Sequence, residues 1–367
     1  MKIGIICEYN PFHLGHLYHL NQIIKMYPNS TIILVMSTNF TERGELSVIN
    51  KWDKTDIALH YGVDIVIELP FKYATSSADI FARGSINILN KIGVDKLVFG
   101  SESNDINLLT KIANIQLNNK NFDKKVKDYL KKGLNYPTSL SNAIKDIIHL
   151  AIDTPNDLLG ISYIKEIIKQ NTKIEPITIK RTNDFHSKGS ASYIRNKLKE
   201  NKNIHPFVPD YVYPYINKTF IDDYFSFIKY KILSTDDLTI YQGIDNSINN
   251  RLKKYINSSN TLDEYINKLK TKKYTYNRLK RLMLHILVGY TKIDNNKEYN
   301  YIRILGFTNK GRLYLNAIKK KLDIPLITNY SNSKGLLDLE YKVNNILYMN
   351  NNELLKQELK EIIKYHR

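Results

Sequence analysis

The sequence predicts an α/β fold, with a doubly wound parallel sheet first and a mainly helical, basic part after it. Short apolar, β-branched runs alternate with helical stretches over residues 3–100, the pattern of parallel βαβ units. Later in the chain the pattern becomes mostly helical, with Tyr and Lys interleaved. The charged residues are also distributed unequally between the first part of the chain and the rest. Residues 1–105 hold 9 Lys and Arg against 11 Asp and Glu, and the rest of the chain holds 45 against 25.

Each apolar run is assigned to a strand and each amphipathic stretch to a helix. A segment with three prolines, 205–214, is the best candidate for a linker. We therefore expect a catalytic domain over residues 1–204 and a basic, mainly helical domain over residues 205–367. The predicted strands are 3–7, 31–36, 64–69, 96–99 and 174–179, and the predicted helical stretches are 15–26, 53–61, 76–92, 104–150, 156–170 and 190–201.

Length and composition restrict the class of protein. The chain has 367 residues, of which 43% are apolar, enough for two domains with sizeable cores. The single cysteine, Cys7, excludes a disulfide framework and a cysteine-based zinc site. The first residues do not look like a signal peptide, and no apolar run approaches the roughly 20 residues of a membrane span. We expect a cytoplasmic protein without a membrane partner, and the sequence does not indicate an oligomeric state.

The basic charge predicts a polyanionic partner. The net charge is +18, and 14 basic residues lie between positions 265 and 320, opposed only by Asp294 and Glu298. Such segregation favours a nucleic-acid surface in the second half of the chain. The alternative is a solvated basic face that arises from the codon bias of an AT-rich genome.

The segment Asn-Pro-Phe-His-Leu-Gly-His, residues 10–16, fills the turn between the first predicted strand and the first predicted helix. Pro11 fixes the turn, and Gly15 lets the backbone approach a ligand closely. The helix N-terminus that follows is a ready anion site. His13 and His16 can stabilise charge that develops at the α-phosphorus of ATP, so we predict both to be catalytic. The alternatives are a metal site or two core histidines.

A second candidate loop begins about 175 residues later, at Ser190. Ser190, Ser192 and Arg195 open a predicted helix with hydroxyl groups and a guanidinium. These groups suit a triphosphate, which Arg195 can pair with bidentately. The alternative is an ordinary N-cap on a surface helix.

Longer runs around these motifs are specific enough to compare with known families. They are residues 8–16, 35–37, 43–45, 51–52, 64–70, 78–84, 99–102, 155–157, 179–181, 189–195, 274–281 and 303–307. Together they resemble the bacterial tRNA(Met) cytidine acetate ligases, nucleotidyltransferases of the His-x-Gly-His type. The likeness is densest before residue 100. It implies a nucleotidyltransferase-like fold of the HUP or Rossmann kind.

The resemblance also implies an activity. Acetate is activated with ATP to acetyl-adenylate and pyrophosphate, and the acetyl group passes to N4 of the wobble cytidine of elongator methionine tRNA. Mg²⁺ is expected because triphosphate chemistry generally uses it, although no dedicated ligands are visible and we predict no resident metal site.

The ATP contacts implied by the resemblance are one continuous segment and three later residues. From the residues alone, Asn156 would be a turn or cap residue and Arg181 a surface ion pair. The implied contacts are Cys7, Glu8, Tyr9, Asn10, Pro11, Phe12, His13, Leu14, Gly15, His16, Leu17, Tyr18, His19, Leu20, Gly100, Asn156 and Arg181.

Cations and tyrosines interleave over residues 270–281. This pattern suits phosphate contacts combined with stacking on unpaired bases. The alternative is a tyrosine-rich core helix whose lysines reach solvent. The predicted tRNA-binding residues are Lys272, Lys273, Arg278, Lys280 and Arg281.

Two other functions compete with the ligase. A cofactor-pathway adenylyltransferase would act on a small metabolite, but such enzymes are usually compact and lack a second basic half. A non-catalytic RNA-binding protein could keep the fold, but the intact histidines and phosphate loop argue against loss of catalysis.

Overall fold

Eight strands form one mixed sheet among the residues that the computed structural model describes, which are 1–150, 152–181, 189–360 and 363–366. The strands are β1 (Lys2–Cys7), β2 (Thr31–Met36), β3 (Ile65–Glu68), β4 (Lys96–Ser101), β5 (Glu175–Lys180), β6 (Ile302–Thr308), β7 (Leu326–Ile327) and β8 (Lys364–His366). Their order across the sheet is β5-β4-β1-β2-β3-β6-β7, and β8 pairs with β6. Strands β1 to β5 are mutually parallel, whereas β6 runs antiparallel to β3.

Helices connect and cover these strands. The helices of the first half are α1 (Leu14–Met26), α2 (Lys51–His60), α3 (Phe71–Ala74), α4 (Ala78–Lys91), α5 (Ile106–Asn118), α6 (Lys120–Lys131), α7 (Tyr136–Ile148), α8 (Pro155–Lys169) and α9 (Ala191–Lys199). Those of the second half are α10 (Phe225–Ser234), α11 (Asn246–Ile256), α12 (Leu262–Leu269), α13 (Tyr276–Val288), α14 (Lys292–Asn296), α15 (Asn309–Ile318), α16 (Asp338–Leu347) and α17 (Asn352–Lys360). None of these described helices has the length and apolar character needed to span a bilayer.

The predicted helical stretch 104–150 is three helices rather than one. Asn119 begins α6 by accepting hydrogen bonds from two backbone N–H groups of the first turn, and Asn135 begins α7 in the same way with the N–H of Thr138. An asparagine at the N-cap satisfies N–H groups that lack helical partners. The two asparagines therefore set where the helices begin.

The predicted doubly wound sheet is confirmed. Ile33 and Val35 of β2 face one apolar core, and Ile32, Leu34 and Met36 face the other. Side chains of a strand alternate between faces, so a strand covered on both sides is continuously apolar. This places the carboxyl ends of β1, β4 and β5 along one edge of the fold.

The second half of the chain differs from the prediction at β6. The sequence predicts mainly helices after residue 214, yet residues 302–308 pair with β3 and extend the sheet. The strand is hard to recognise in the sequence because its second residue, Arg303, is a cation, and cations usually face solvent. In the structure Arg303 is only 1% exposed. A third apolar core, within α10 to α13 and α16, also takes in Phe40, Leu46 and Phe71 from the first half. The boundary at 204/205 stays a prediction.

Residues 205–214, predicted as a linker, are a packed connection. Val208 and Val212 are buried in the core that contains β1 and β2. The hydroxyl of Tyr211 donates to Asp56 at 2.6 Å, and its ring stacks on His60. The prolines shape short turns here and do not leave the segment free.

Candidate functional site

A cavity of about 740 Å³ lies at the carboxyl ends of β1, β4 and β5, where the N-termini of α1, α8 and α9 converge. This is the edge at which open α/β sheets bind ligands. Five predicted ATP contacts, Pro11, Phe12, Leu14, Leu17 and Leu20, do not line it; Phe12 and Leu20 are fully buried in the core. The predicted residues that do line it are Cys7, Glu8, Tyr9, Asn10, His13, Gly15, His16, Tyr18, His19, Gly100, Asn156, Arg181, Ser190, Ser192 and Arg195.

His13 and His16 form a reciprocal cap on α1. Nδ1 of His13 accepts the N–H of Gly15 at 3.0 Å, and Nδ1 of His16 accepts the N–H of His13 at 3.3 Å. The two rings stack with centroids 3.8 Å apart. Because Nδ1 is the acceptor in both neutral rings, Nε2 carries the hydrogen in both. The cap therefore supplies two N–H donors of fixed tautomer beside the helix N-terminus.

Both imidazoles are neutral at physiological pH. Burial, together with the positive charges of Arg181 and Arg195, lowers the pKa of His13 to about 3. Burial and the neighbouring His13 lower the pKa of His16 well below its usual range. Two stacked rings cannot both be charged at this separation without strong repulsion. The pair can donate hydrogen bonds to a phosphate oxygen but is not a source of protons.

Glu102 holds two residues that line the cavity. Its carboxylate accepts a hydrogen bond from the side-chain amide of Asn156 at 2.5 Å and lies 3.7 Å from Nε of Arg181. A Cβ at Gly100 would lie 3.3 Å from Cγ of Arg181, so glycine leaves room there. Asn156 and Arg181 were predicted as ATP contacts only through the resemblance to the ligase family, and no role was predicted for Glu102. The structure brings all four residues together.

The predicted phosphate loop begins α9. Ser190 is an N-cap whose hydroxyl accepts the N–H of Tyr193 at 3.3 Å, as the simpler alternative proposed. Arg195 is buried, and its guanidinium donates to the carbonyl of Asn10 at 2.6 Å and pairs with Glu45 at 2.5 Å. Arg195 therefore has protein partners on two sides, although it also lines the cavity.

Two cations near the cavity received no role from the sequence. Lys54 of α2 is fully buried, and its ammonium donates to the carbonyls of Glu8 at 2.8 Å and Ser37 at 2.7 Å and to the carbonyl of Thr38. It joins the carboxyl ends of β1 and β2. Arg43 lines the cavity and is exposed. The sequence carries no signal for Lys54, which is flanked by Asp53 and Asp56. Arg43 could have been noticed as part of a run shared with the resembled family.

The five residues of the predicted RNA surface have different surroundings. Lys272 and Lys273 are exposed and Arg278 is partly exposed. Lys280 is buried and pairs with Glu45 at 3.0 Å, and Arg281 pairs with Glu42 at 2.8 Å. Lys280 and Arg281 are therefore neutralised by carboxylates that are largely shielded from solvent, whereas Lys273 pairs with Asp245 at 3.2 Å on the exposed surface. Whether any of the five contacts tRNA stays a prediction.

The tyrosines interleaved with these cations are not free stacking platforms. Tyr274 is 2% exposed, and its hydroxyl donates to Asp245 at 2.6 Å. Tyr276 is half-buried and donates to Asp263 at 2.6 Å. Tyr274 is therefore a core residue, as the alternative expects, but it lies in the turn before α13 and not in a helix.

Comparison with known proteins gives the family. The profile described as HIGH Nucleotidyl Transferase matches residues 1–361. A protein of Caldicellulosiruptor saccharolyticus named tRNA(Met) cytidine acetate ligase is 39% identical over 371 residues, covering 94% of this chain and 92% of that protein. The chain belongs to the HIGH nucleotidyl transferase family and, within it, to the tRNA(Met) cytidine acetate ligases. The predicted resemblance is thereby confirmed.

Other members of the tRNA(Met) cytidine acetate ligase family agree with this over the full length. The relative of that name from Geobacillus sp. strain WCH70 is 38% identical and covers 90% of each chain. The crystal structure of Thermotoga maritima TmcAL bound with alpha-thio ATP superposes with a TM-score of 0.87 at 29% identity, covering 100% of both chains. The sheet and the helical second half are therefore arranged as in that crystal structure.

Proposed function

We propose that this chain activates acetate with ATP, releases pyrophosphate, and transfers the acetyl group to N4 of the wobble cytidine of elongator methionine tRNA. The observation that carries the proposal is the capped pair of neutral imidazoles at the start of α1, inside the large cavity of a member of this ligase family. The basic second half supports a polyanionic acceptor.

In the first step an acetate oxygen attacks the α-phosphorus of ATP. The new P–O bond forms as the bond to the bridging oxygen breaks, and pyrophosphate leaves with that electron pair. The Nε2–H groups of His13 and His16 and the positive end of the α1 dipole stabilise the charge that develops on the phosphate oxygens. No acidic residue lies in the first turn of α1 to oppose them.

In the second step N4 of the cytidine attacks the acetyl carbonyl carbon. The bond from this carbon to the adenylate oxygen breaks, AMP leaves, and N4 loses a proton. Glu8 lines the cavity, and burial raises the pKa of its carboxyl to about 7. We assign Glu8 as the acceptor of this proton, because a base with a pKa near the working pH transfers protons most effectively.

The partners and cofactor follow from this chemistry. Mg²⁺ would enter with ATP, bound largely by phosphate and water oxygens, the usual binding mode of this ion. Among the described residues no group of three His, Cys, Asp or Glu side chains could hold a metal by itself. The proposal places the protein in the cytoplasm, where ATP, acetate and tRNA meet.

The proposal is tested by incubating the protein with ATP, labelled acetate and bulk tRNA. We expect acetate-dependent exchange of labelled pyrophosphate into ATP without tRNA, and label on the wobble cytidine of elongator methionine tRNA when tRNA is added. Pyrophosphate exchange that does not depend on acetate, or the absence of label from tRNA, contradicts the proposed function.

Acetyl transfer from pre-formed acetyl-adenylate is expected to speed up with pH. Glu8 must be ionised to accept the proton, so with a pKa of about 7 the rate should rise roughly tenfold between pH 6 and pH 8 and then level. Single-turnover transfer measured across this range checks the profile. Glu8→Gln should transfer slowly with a flat profile, and a variant that keeps the slope removes Glu8 as the base.

Changing Lys272, Lys273 and Arg278 to alanine is expected to weaken tRNA binding while pyrophosphate exchange is spared. None of these three cations lines the cavity, and phosphate contacts dominate affinity for nucleic acid. The slope of log affinity against log salt should become shallower by about 0.7–0.9 for each phosphate contact removed. Lys280 and Arg281 stay unchanged because they pair with Glu45 and Glu42.

The matched control removes the same charge from another surface. Lys124, Lys127 and Lys131 are exposed on α6, and their triple alanine variant should keep its tRNA affinity and salt slope. Equal losses in both triple variants would show a general effect of net charge and remove the RNA surface from this segment.

A further inference from the structure

Arg43 reaches the predicted phosphate loop from a distant part of the chain. It lies between β2 and α2, and its Nη1 donates to the hydroxyl of Ser192 at 3.3 Å. The residue is exposed and lines the cavity together with Ser190, Ser192 and the two capping histidines. An exposed guanidinium beside two serine hydroxyls is an arrangement that suits phosphate oxygens.

Arg195, the arginine that the sequence predicts for this task, is already engaged. Its guanidinium is buried and contacts the carbonyl of Asn10, the carboxylate of Glu45 and the hydroxyl of Ser192. The Glu45 carboxylate neutralises its charge at 2.5 Å. A phosphate would have to compete with that carboxylate, whereas the Arg43 guanidinium hydrogen-bonds, among the described residues, to the hydroxyl of Ser192.

The backbone on both sides of Arg43 is fixed. The N–H of Glu42 donates to Glu8 at 2.7 Å, and the Glu42 carboxylate pairs with Arg281. Gly44 has φ +73° and lies so close to α13 that a Cβ would be 2.5 Å from the backbone nitrogen of Arg281. Glu45 is held by Lys280 and Arg195. The flanking contacts hold the loop, which leaves the Arg43 side chain directed at the cavity.

We infer that Arg43 binds the β- and γ-phosphates of ATP, and that Arg195 is a positioning residue that holds the loop of residues 41–45 against α9. The inference rests on the proposed function, which puts the α-phosphate at the histidine pair. The remaining phosphates then extend toward Ser190 and Ser192, where the Arg43 guanidinium can bind them bidentately. Pyrophosphate, the leaving group, would keep this contact until it departs.

The test compares ligands that differ only in the terminal phosphates. In Arg43→Ala the dissociation constant of ATP and that of pyrophosphate should rise roughly 10- to 100-fold, the usual effect of losing a charge-assisted hydrogen bond. Binding of AMP should change by less than about twofold, since AMP lacks these phosphates. Arg43→Lys keeps the positive charge but loses the bidentate geometry of the guanidinium. Its dissociation constants for ATP and pyrophosphate should therefore lie between those of the unmutated protein and those of Arg43→Ala. Isothermal titration of each variant with ATP, AMP and pyrophosphate gives these values.

Arg312→Ala is the matched control, since it removes an exposed arginine from α15 and should bind all three ligands as the unmutated protein does. Equal weakening of ATP and AMP in Arg43→Ala overturns the inference, and so does unchanged ATP binding. If Arg43→Ala binds ATP normally but no longer transfers acetyl groups to tRNA, the inference is also overturned, and the role of Arg43 is to contact the RNA. The titrations contain no acetate, so they test the Arg43 inference independently of the proposed function. The proposed function would be rejected separately if the unmutated protein showed no acetate-dependent pyrophosphate exchange.

Discussion

His16→Ala is expected to slow acetyl-adenylate formation by about 100- to 1,000-fold, which corresponds to a loss of roughly 3–4 kcal/mol of transition-state stabilisation. Nδ1 of His16 accepts the N–H of His13, which leaves Nε2–H as a donor of fixed orientation beside the helix N-terminus. Alanine removes the donor and releases the stacked ring of His13. Acetate-dependent pyrophosphate exchange measures the effect.

Controls separate chemistry from folding in this experiment. His205 is exposed on a surface turn, so His205→Ala should exchange pyrophosphate at the normal rate. His16→Asn, which keeps an N–H donor, should recover part of the lost rate. If His16→Ala binds ATP and melts like the unmutated protein yet exchanges pyrophosphate near the normal rate, His16 has no part in the mechanism.

The pH dependence of the first step follows from the same contacts. Both imidazoles have pKa values well below their usual range, so neither ring of the pair should titrate between pH 6 and pH 8 in the free protein. The contrast with the second step, which depends on Glu8, distinguishes the two half-reactions by their pH profiles.

The first half of the fold could be predicted because its signals are local. Apolar runs such as residues 31–36 specify buried strands, and the segment from Asn10 to His16 shows its turn, its glycine and its helix start within seven residues. The histidine pair was found for the same reason. Its partners are three residues apart in the sequence and one helical turn apart in space.

The parts that could not be predicted depend on contacts between distant residues. Arg195 looks free in the sequence because its partner Glu45 is 150 positions away. Lys280 and Arg281 look like RNA contacts in the sequence, but in the structure they pair with Glu45 and Glu42. A charge pattern predicts the sign of a surface, and it cannot predict which charges are neutralised by the fold.

A buried ion cluster shows the same limit on a larger scale. Arg303 in β6 donates from Nη1 to Glu68 at 2.8 Å and to Glu358 at 3.0 Å, and Lys51 lies 3.3 Å and 2.5 Å from the same two carboxylates. The four residues come from β3, α2, β6 and α17 and are almost completely inaccessible to solvent. The cluster joins the end of the chain to the middle of the sheet.

Arg303→Ala is therefore expected to lower the free energy of unfolding by about 3–5 kcal/mol, because it leaves two buried carboxylates to a single lysine. Urea unfolding followed by circular dichroism measures the change. The control Arg83→Ala, which removes an exposed arginine from α4, should differ from the unmutated protein by less than about 0.5 kcal/mol. Combining Arg303→Met with Glu358→Leu removes one charge of each sign and fills the space with apolar atoms, so the double variant should be more stable than Arg303→Ala. A single variant as stable as the unmutated protein would mean that the cluster does not hold β6 and α17 in place.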